Sequence, residues 1–337
     1  MSKMKRRQFA RQIGLGAAGV LAGSWLRQPG LRIGHGSFQY QVDLNWGALH
    51  KGFYPVKDAH EMVQDSLGRL LLLTNHTRNN FLVYNKDGRL LESWGTDFPG
   101  AHGLTLKNEG GEDFLYVTDT ERNAVFKLTR AGREVMRLEW PQESGLYHAA
   151  AAYKPTEVAV ADNGDIYVAD GYGEQYILRY DSQGRLLQAF GGRPGLQNAH
   201  GVAIDTRQEV PTLLVTARQQ QLLKRYTMEG EHLEDILLPG AFICRPVVHR
   251  SEVYLATIWS GDGRAGSGFI SILDASGEMV SAPGGIAPVY GENGLEPMRQ
   301  AVRVFVHPHD VCVDEDDNLY VAQWNAGGTY PIKLIRV

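Results

Sequence analysis

The sequence predicts an all-β fold: a six-bladed β-propeller built from four-stranded blades. Three observations predict it. A unit of short apolar strands and turns recurs six times. One marker position at the start of each unit recurs at intervals of 42, 54, 44, 45 and 64 residues. Four of the six markers are histidines. A period in the forties with about four strands per unit is the spacing of propeller blades. Unrelated hairpins in a sandwich would not repeat one residue type at one place in the unit.

The markers are His60 (Asp58-Ala59-His60-Glu61-Met62), His102 (Gly100-Ala101-His102-Gly103-Leu104), Thr156, His200 (Asn198-Ala199-His200-Gly201-Val202), Arg245 and His309 (His307-Pro308-His309-Asp310-Val311), each predicted just before a first strand. Unit three shows the elements in order. Glu157-Val158-Ala159-Val160 is a strand, and Asp162-Asn163-Gly164-Asp165 is the turn after it. Asn-Gly ahead of an apolar run is a strong hairpin signal. Ile166 to Asp170 is the second strand, Gly171 to Gln175 a polar loop, and Tyr176 to Tyr180 the third strand. Asp181-Ser182-Gln183-Gly184 turns the chain into Arg185 to Phe190, the fourth. Second strands recur at Leu70 to Thr74, Leu115 to Asp119, Leu213 to Ala217, Val253 to Thr257 and Asn318 to Ala322. Unit six has sequence for three strands only. Phe38 to Leu44 is predicted to add the fourth beside Pro331 to Val337, closing a domain of residues 38–337 and covering an open sheet edge.

A chain of 337 residues with 43% hydrophobic content can bury the core of such a domain. A net charge of -4 with scattered basic residues gives nucleic acid no electrostatic footprint. The start differs. Lys3-Met4-Lys5-Arg6-Arg7-Gln8-Phe9 precedes the apolar, glycine-rich run Ile13 to Leu21, which reads as an export signal. Arg6-Arg7 with Phe9 resembles the twin-arginine type. The run is too short and glycine-rich for a good membrane span, so none is expected once the signal is removed. Residues 1–32 are assigned to signal and linker, and the protein is expected to be exported, periplasmic or extracellular. Cys244 and Cys312 belong to no metal-type cysteine spacing and read as small buried hydrophobes, although an exported protein could pair them.

In a propeller the first strand of each blade lines the axis, so the markers become a circle of side chains. Imidazoles converging on one point can hold zinc or another divalent transition metal. His102, His200 and His309 come from alternate blades and share an approximate three-fold axis. Three imidazoles leave a fourth position for water or substrate. His60 breaks the symmetry and reads as a further ligand, a supporting group or a substrate contact. Histidines that merely hydrogen-bond in the channel are the plainer reading, but three at alternate blades favour a metal. The loops between second and third strands share this face. They carry His76 and Arg78, Tyr172, Arg218, Trp259 and Trp324. Two insertions, Pro141 to Pro155 and Pro283 to Phe305, are expected to reach it as lids or specificity elements.

At this point the residues look like a known family. Ala101-His102-Gly103-Leu104, Ala199-His200-Gly201-Val202 and Pro308-His309-Asp310-Val311 resemble the catalytic core of peptidylglycine alpha-hydroxyglycine alpha-amidating lyase, a six-bladed propeller of NHL-like blades. The resemblance spans the ring. It implies a catalytic zinc, or another divalent transition metal, on His102, His200 and His309. Val168-Ala169-Asp170-Gly171-Tyr172 matches the family segment whose tyrosine acts at the metal, which makes Tyr172 catalytic. Arg218 falls at the place of a loop arginine that faces the family's site. Leu104 and Asp310 would inherit a structural calcium in the channel. The blade-one loop reads Asn75-His76-Thr77-Arg78 where the family has a further arginine, and Arg78 is offered for that place. His60, His76, Arg78 and Arg245 are grouped as substrate or supporting residues. The implied activity is a metal-dependent lyase, cleaving a carbinolamide-like C–N or C–O bond in a small-molecule or peptide-like substrate. Two other readings stay open on the residues: a metal-dependent lactonase or sugar-processing propeller, and a non-catalytic extracytoplasmic binding propeller.

Overall fold

The computed structural model of the protein describes residues 30–337. The expected export signal, Lys3 to Leu21, lies outside the described residues. Six antiparallel sheets form a ring. Their inner strands are Ala59–Gln64, Ala101–Glu109, Glu157–Val160, Ala199–Asp205, Ala241–His249 and Pro308–Val313. Each inner strand packs on the next, and Pro308–Val313 packs on Ala59–Gln64.

Several second strands are buried from end to end: Leu70–Thr74, Ile166–Ala169, Thr212–Ala217 and Leu319–Gln323. A strand covered on both faces by neighbouring blades needs a continuous apolar run rather than alternation, and Leu70-Leu71-Leu72-Leu73 is such a run. The outer strand of blade four, His232–Leu237, is almost wholly exposed, whereas that of blade five, Met279–Ser281, is largely buried. The recurring turns end on a residue in the left-handed region. Gly164, at φ 89°, donates to Ala161 O over 3.0 Å. The glycine is thus the fourth residue of the turn rather than the third. Blade six puts Asp317 there, at φ 63°.

Blades one to five each come from consecutive strands. The sixth is composite. Phe38–Asp43 pairs with Ile332–Arg336, with Tyr40 opposite Arg336 and Val42 opposite Leu334, and Arg32–His35 adds a fifth strand outside. Trp46 seals the seam, 5.2 Å from the Tyr84 ring of blade one and 4.7 Å from the Tyr320 ring of blade six.

Buried and half-buried amide side chains join successive blades. Asn80 donates to Thr74 O and Phe98 O, both at 2.9 Å, and accepts from Phe98 N at 3.1 Å. Gln175 accepts from Ala199 N at 2.8 Å and Gln221 from Gly240 N at 2.6 Å. Each such bond is worth about 1 kcal/mol net, but losing one partner leaves a buried polar group unpaired. Among the described residues no helix is long and apolar enough to cross a membrane.

Candidate metal centre

Five of the six markers sit inside the inner strands rather than before them, and Thr156 stands just ahead of Glu157–Val160 as expected. Pairing with the second strand breaks register between Ala59 and Glu61, Ala101 and Leu104, Ala199 and Val202, and Pro308 and Asp310. The residues skipped include His60, His102, His200 and His309. A bulge re-aims the side chain it carries, and here it turns each imidazole into the axis. The bulge amides are satisfied. Gly103 N donates to Thr118 Oγ1 and Gly201 N to Thr216 Oγ1, each at 2.7 Å. Glycine is required at both places. A Cβ at Gly103 would lie 2.5 Å from Thr156 O, and one at Gly201 2.4 Å from Arg245 Cα.

The four imidazoles are buried and mutually close. Ring centroids lie 4.9 Å apart for His60–His102, His60–His309 and His200–His309, and 4.8 Å apart for His102–His200 and His102–His309. Burial pushes His60 down to about 3 and holds the other three well below the ordinary imidazole range. All four are therefore neutral, the form that ligates metals. His102 Nδ1 donates to Thr156 O at 2.9 Å and His309 Nδ1 to His60 O at 3.1 Å, which leaves Nε2 unprotonated on both. His309 Nε2, His60 Nδ1 and His200 Nδ1 are buried without a partner. Orphaned buried nitrogens are costly unless something binds them, so this donor set fits a metal ion. The donor atoms of His60, His102 and His309 lie within 4.8 Å of one another, as do those of His200, Cys244 and His309. His60, which breaks the alternate-blade symmetry, thus stands in a close donor group.

Tyr172 enters from the blade-three loop. Its hydroxyl lies 3.1 Å from Nε2 of both His102 and His200, although the residue as a whole is 42% exposed. Asp170 shapes that loop, accepting from Lys154 N at 2.7 Å, Glu174 N at 2.6 Å and Tyr147 Oη at 2.9 Å. Arg218 is buried beside the phenol. Its Nε donates to Ile243 O at 3.1 Å and its Nη2 to Cys244 Sγ at 2.9 Å. Burial raises the Tyr172 pKa, and the Arg218 charge opposes that rise. A pocket of about 440 Å³ opens above, lined by His60, His102, Tyr172, Arg218, Trp259 and Trp324 among others.

Other expected site residues stand elsewhere. Arg78 is exposed, and its amide donates to His76 Nδ1 at 3.2 Å. Neither lines the pocket, although Asn75 of the same loop does. Arg245 turns away from the histidines toward Asp310, with its Nε 2.7 Å from Asp310 Oδ1 and its Nη1 2.9 Å from Leu104 O. The oxygens expected to hold calcium are therefore bound by a guanidinium. No residue of either insertion lines the pocket. Tyr147 and Tyr153 of the first are buried, and Met298 N of the second donates to Pro239 O at 2.8 Å, so both pack on the ring instead of covering its mouth. Cys244 and Cys312 are free and buried. A larger funnel of about 890 Å³ opens at the opposite mouth, lined by Val63, Leu106, Val160 and Val248 among others, and includes none of the four histidines. Donor chemistry, not size, marks the site. The residue after three of the markers carried a further signal: Glu61 and Glu157, which sequence reasoning passed over, join Asp310 in a second cluster on the axis. The Cys244–Arg218 contact left no mark in the sequence.

No family model matches the chain. Among curated proteins, it is 28% identical over 253 residues to peptidyl-alpha-hydroxyglycine alpha-amidating lyase 1 of Drosophila melanogaster, covering 71% of this chain and 45% of that protein. It is 27% identical over 141 residues to NHL repeat-containing protein 3 of Homo sapiens, covering 40% of each. The chain spans less than half the length of these relatives. Among solved structures, virginiamycin B lyase from Staphylococcus aureus superposes with a TM-score of 0.56 at 14% identity, over 83% of this chain and 96% of that one. That likeness concerns the fold alone. In sequence the chain resembles the alpha-amidating lyases and NHL-repeat proteins, and in architecture it is a six-bladed propeller with a buried histidine cluster that could hold a metal.

Proposed function

We propose that the protein is a zinc-dependent lyase that breaks the C–N bond of a carbinolamide, the class of reaction named for its Drosophila relative. The observation that carries this reading is the phenol of Tyr172 set 3.1 Å from two of four neutral, converging imidazoles. Imidazole donors suit zinc, and we assign His102, His200 and His309 as ligands with His60 in reach. Bound there, zinc would supply Lewis acidity toward the substrate hydroxyl. Tyr172 takes the hydroxyl proton. The C–O bond becomes a carbonyl as the C–N bond breaks, and its electron pair leaves with the amide nitrogen, which gains a proton. The products are a primary amide and an aldehyde. The pocket of about 440 Å³ suits a small molecule or a peptide end. A lactonase reading is less well supported, because carboxylates on this axis bind Arg245 rather than face the imidazoles.

The test joins elemental analysis to an assay. Purified protein should hold one zinc, and should convert a peptide ending in alpha-hydroxyglycine to peptide amide and glyoxylate. Zinc-loaded protein without turnover, or full turnover without metal, would overturn the proposal. Arg218 is assigned to the substrate carboxylate. Arg218→Ala should raise KM for an acidic substrate by about 10- to 100-fold, the worth of a charged hydrogen bond. A substrate with that carboxylate amidated should lose little, and equal losses for both would reject the assignment.

Export by the twin-arginine route is part of the same reading. Arg6→Lys with Arg7→Lys should keep the protein in the cytoplasm. Unchanged extracytoplasmic yield would remove this route.

A further inference from the structure

Next to the histidines, the axis carries a second polar cluster made from the residues that follow three of the six markers. Glu61 follows His60, Glu157 follows Thr156 and Asp310 follows His309. All three are buried, and Arg245 stands among them. Its Nε donates to Asp310 Oδ1 at 2.7 Å, and its Nη2 to Asp310 Oδ2 at 3.1 Å and to Met62 O at 3.0 Å. Its Nη1 donates to Leu104 O at 2.9 Å and lies 3.3 Å from Glu61 Oε2, while its Nε lies 3.8 Å from Glu157 Oε2.

Three carboxylates and two main-chain carbonyls, drawn from four blades, are hard oxygen donors of the kind that surround calcium. The resemblance assigns Leu104 and Asp310 to such an ion. The residues present do not fit it, because a guanidinium fills the place and would repel a divalent charge. We propose that Arg245 is the built-in cation of this axis, standing where a divalent ion would otherwise join the blades. It is also a positioning residue for the histidine centre. Met62 lies two residues beyond His60, Leu104 two beyond His102, and Asp310 directly follows His309. One side chain therefore ties together three of the strands that carry imidazoles. Lysine could not replace it in full, since a point charge lacks the planar fork that reaches several acceptors at once.

The test is calcium titration into zinc-loaded, calcium-free protein, followed by thermal unfolding and zinc analysis. The unaltered protein should keep the same Tm at every calcium concentration. A calcium-dependent rise would overturn the proposal. Arg245→Ser removes the cation and leaves the oxygens. Its Tm should be lower without calcium and should rise by about 5 °C when calcium exceeds its dissociation constant about 100-fold. Zinc retention should recover in parallel, which a purely structural loss elsewhere would not produce. An Arg245→Ser protein indifferent to calcium would overturn the proposal. If that variant does not accumulate, refolding from denaturant with and without calcium decides the same point: recovery only with calcium supports the built-in cation, and equal recovery or equal failure rejects it. The readouts are independent of lyase activity, so failure here is distinct from failure of the functional reading.

Discussion

His309→Ala is expected to strip the metal from a propeller that still folds. His309 belongs to both close donor groups, the one with His60 and His102 and the one with His200 and Cys244. Its Nδ1 is committed to His60 O, so Nε2 is the free donor, and that atom is buried without a partner. Changing an outer group behind a metal ligand typically costs about 10–100-fold in affinity. Losing the ligand itself should cost at least about 100-fold. The cost to folding is smaller, roughly one hydrogen bond of about 1 kcal/mol plus a modest cavity. Zinc content after gel filtration measures the first effect and thermal unfolding the second. Two companion variants decide the third ligand. On the alternate-blade assignment, His200→Ala also releases zinc and His60→Ala retains it; the reverse would move the site to His60, His102 and His309. Full zinc retention by His309→Ala would remove the metal from this position altogether.

The ring and the convergence of its histidines were legible because both follow from counting. A marker repeated once per blade must form a circle, whatever the side chain. Continuous apolar runs such as Leu70 to Leu73 were legible for the same reason, since a strand covered on both faces has no polar side. The facing of neighbouring residues was not legible. One bulge changes which side of a strand a residue serves, and no residue type signals a bulge uniquely. Hence Arg245, at the marker position of blade five, was grouped with the substrate residues, whereas its side chain lies among Glu61, Glu157 and Asp310.

The insertions show a second limit. Length alone suggested lids, yet Tyr147 donates to Asp170 and Tyr153 is fully buried. Aromatic content favoured packing over a mobile cover. Asp170 illustrates the reverse case. It belongs to the segment Val168 to Tyr172, and its buried carboxylate gathers the amides that hold the loop in place.

Tyr172→Phe should abolish most turnover while leaving zinc in place. The substitution removes one oxygen. The ring that packs edge-on against His102 at 5.0 Å between centroids remains, so the shape of the pocket is kept. What disappears is the hydroxyl beside His102 Nε2 and His200 Nε2. If that phenol takes the substrate proton, kcat should fall by about 10²–10⁴-fold, the usual worth of general acid–base catalysis. KM should change little, because Arg218, assigned to the substrate carboxylate, is untouched. Zinc content should match that of the unaltered protein, which separates lost chemistry from lost metal. Single-turnover measurement of peptide amide formation reads the chemical step directly. Full activity in Tyr172→Phe would make the phenol a packing group. A fall in kcat matched by a fall in zinc would make it a support for the metal rather than a base. Only loss of kcat with zinc retained assigns the proton transfer to Tyr172.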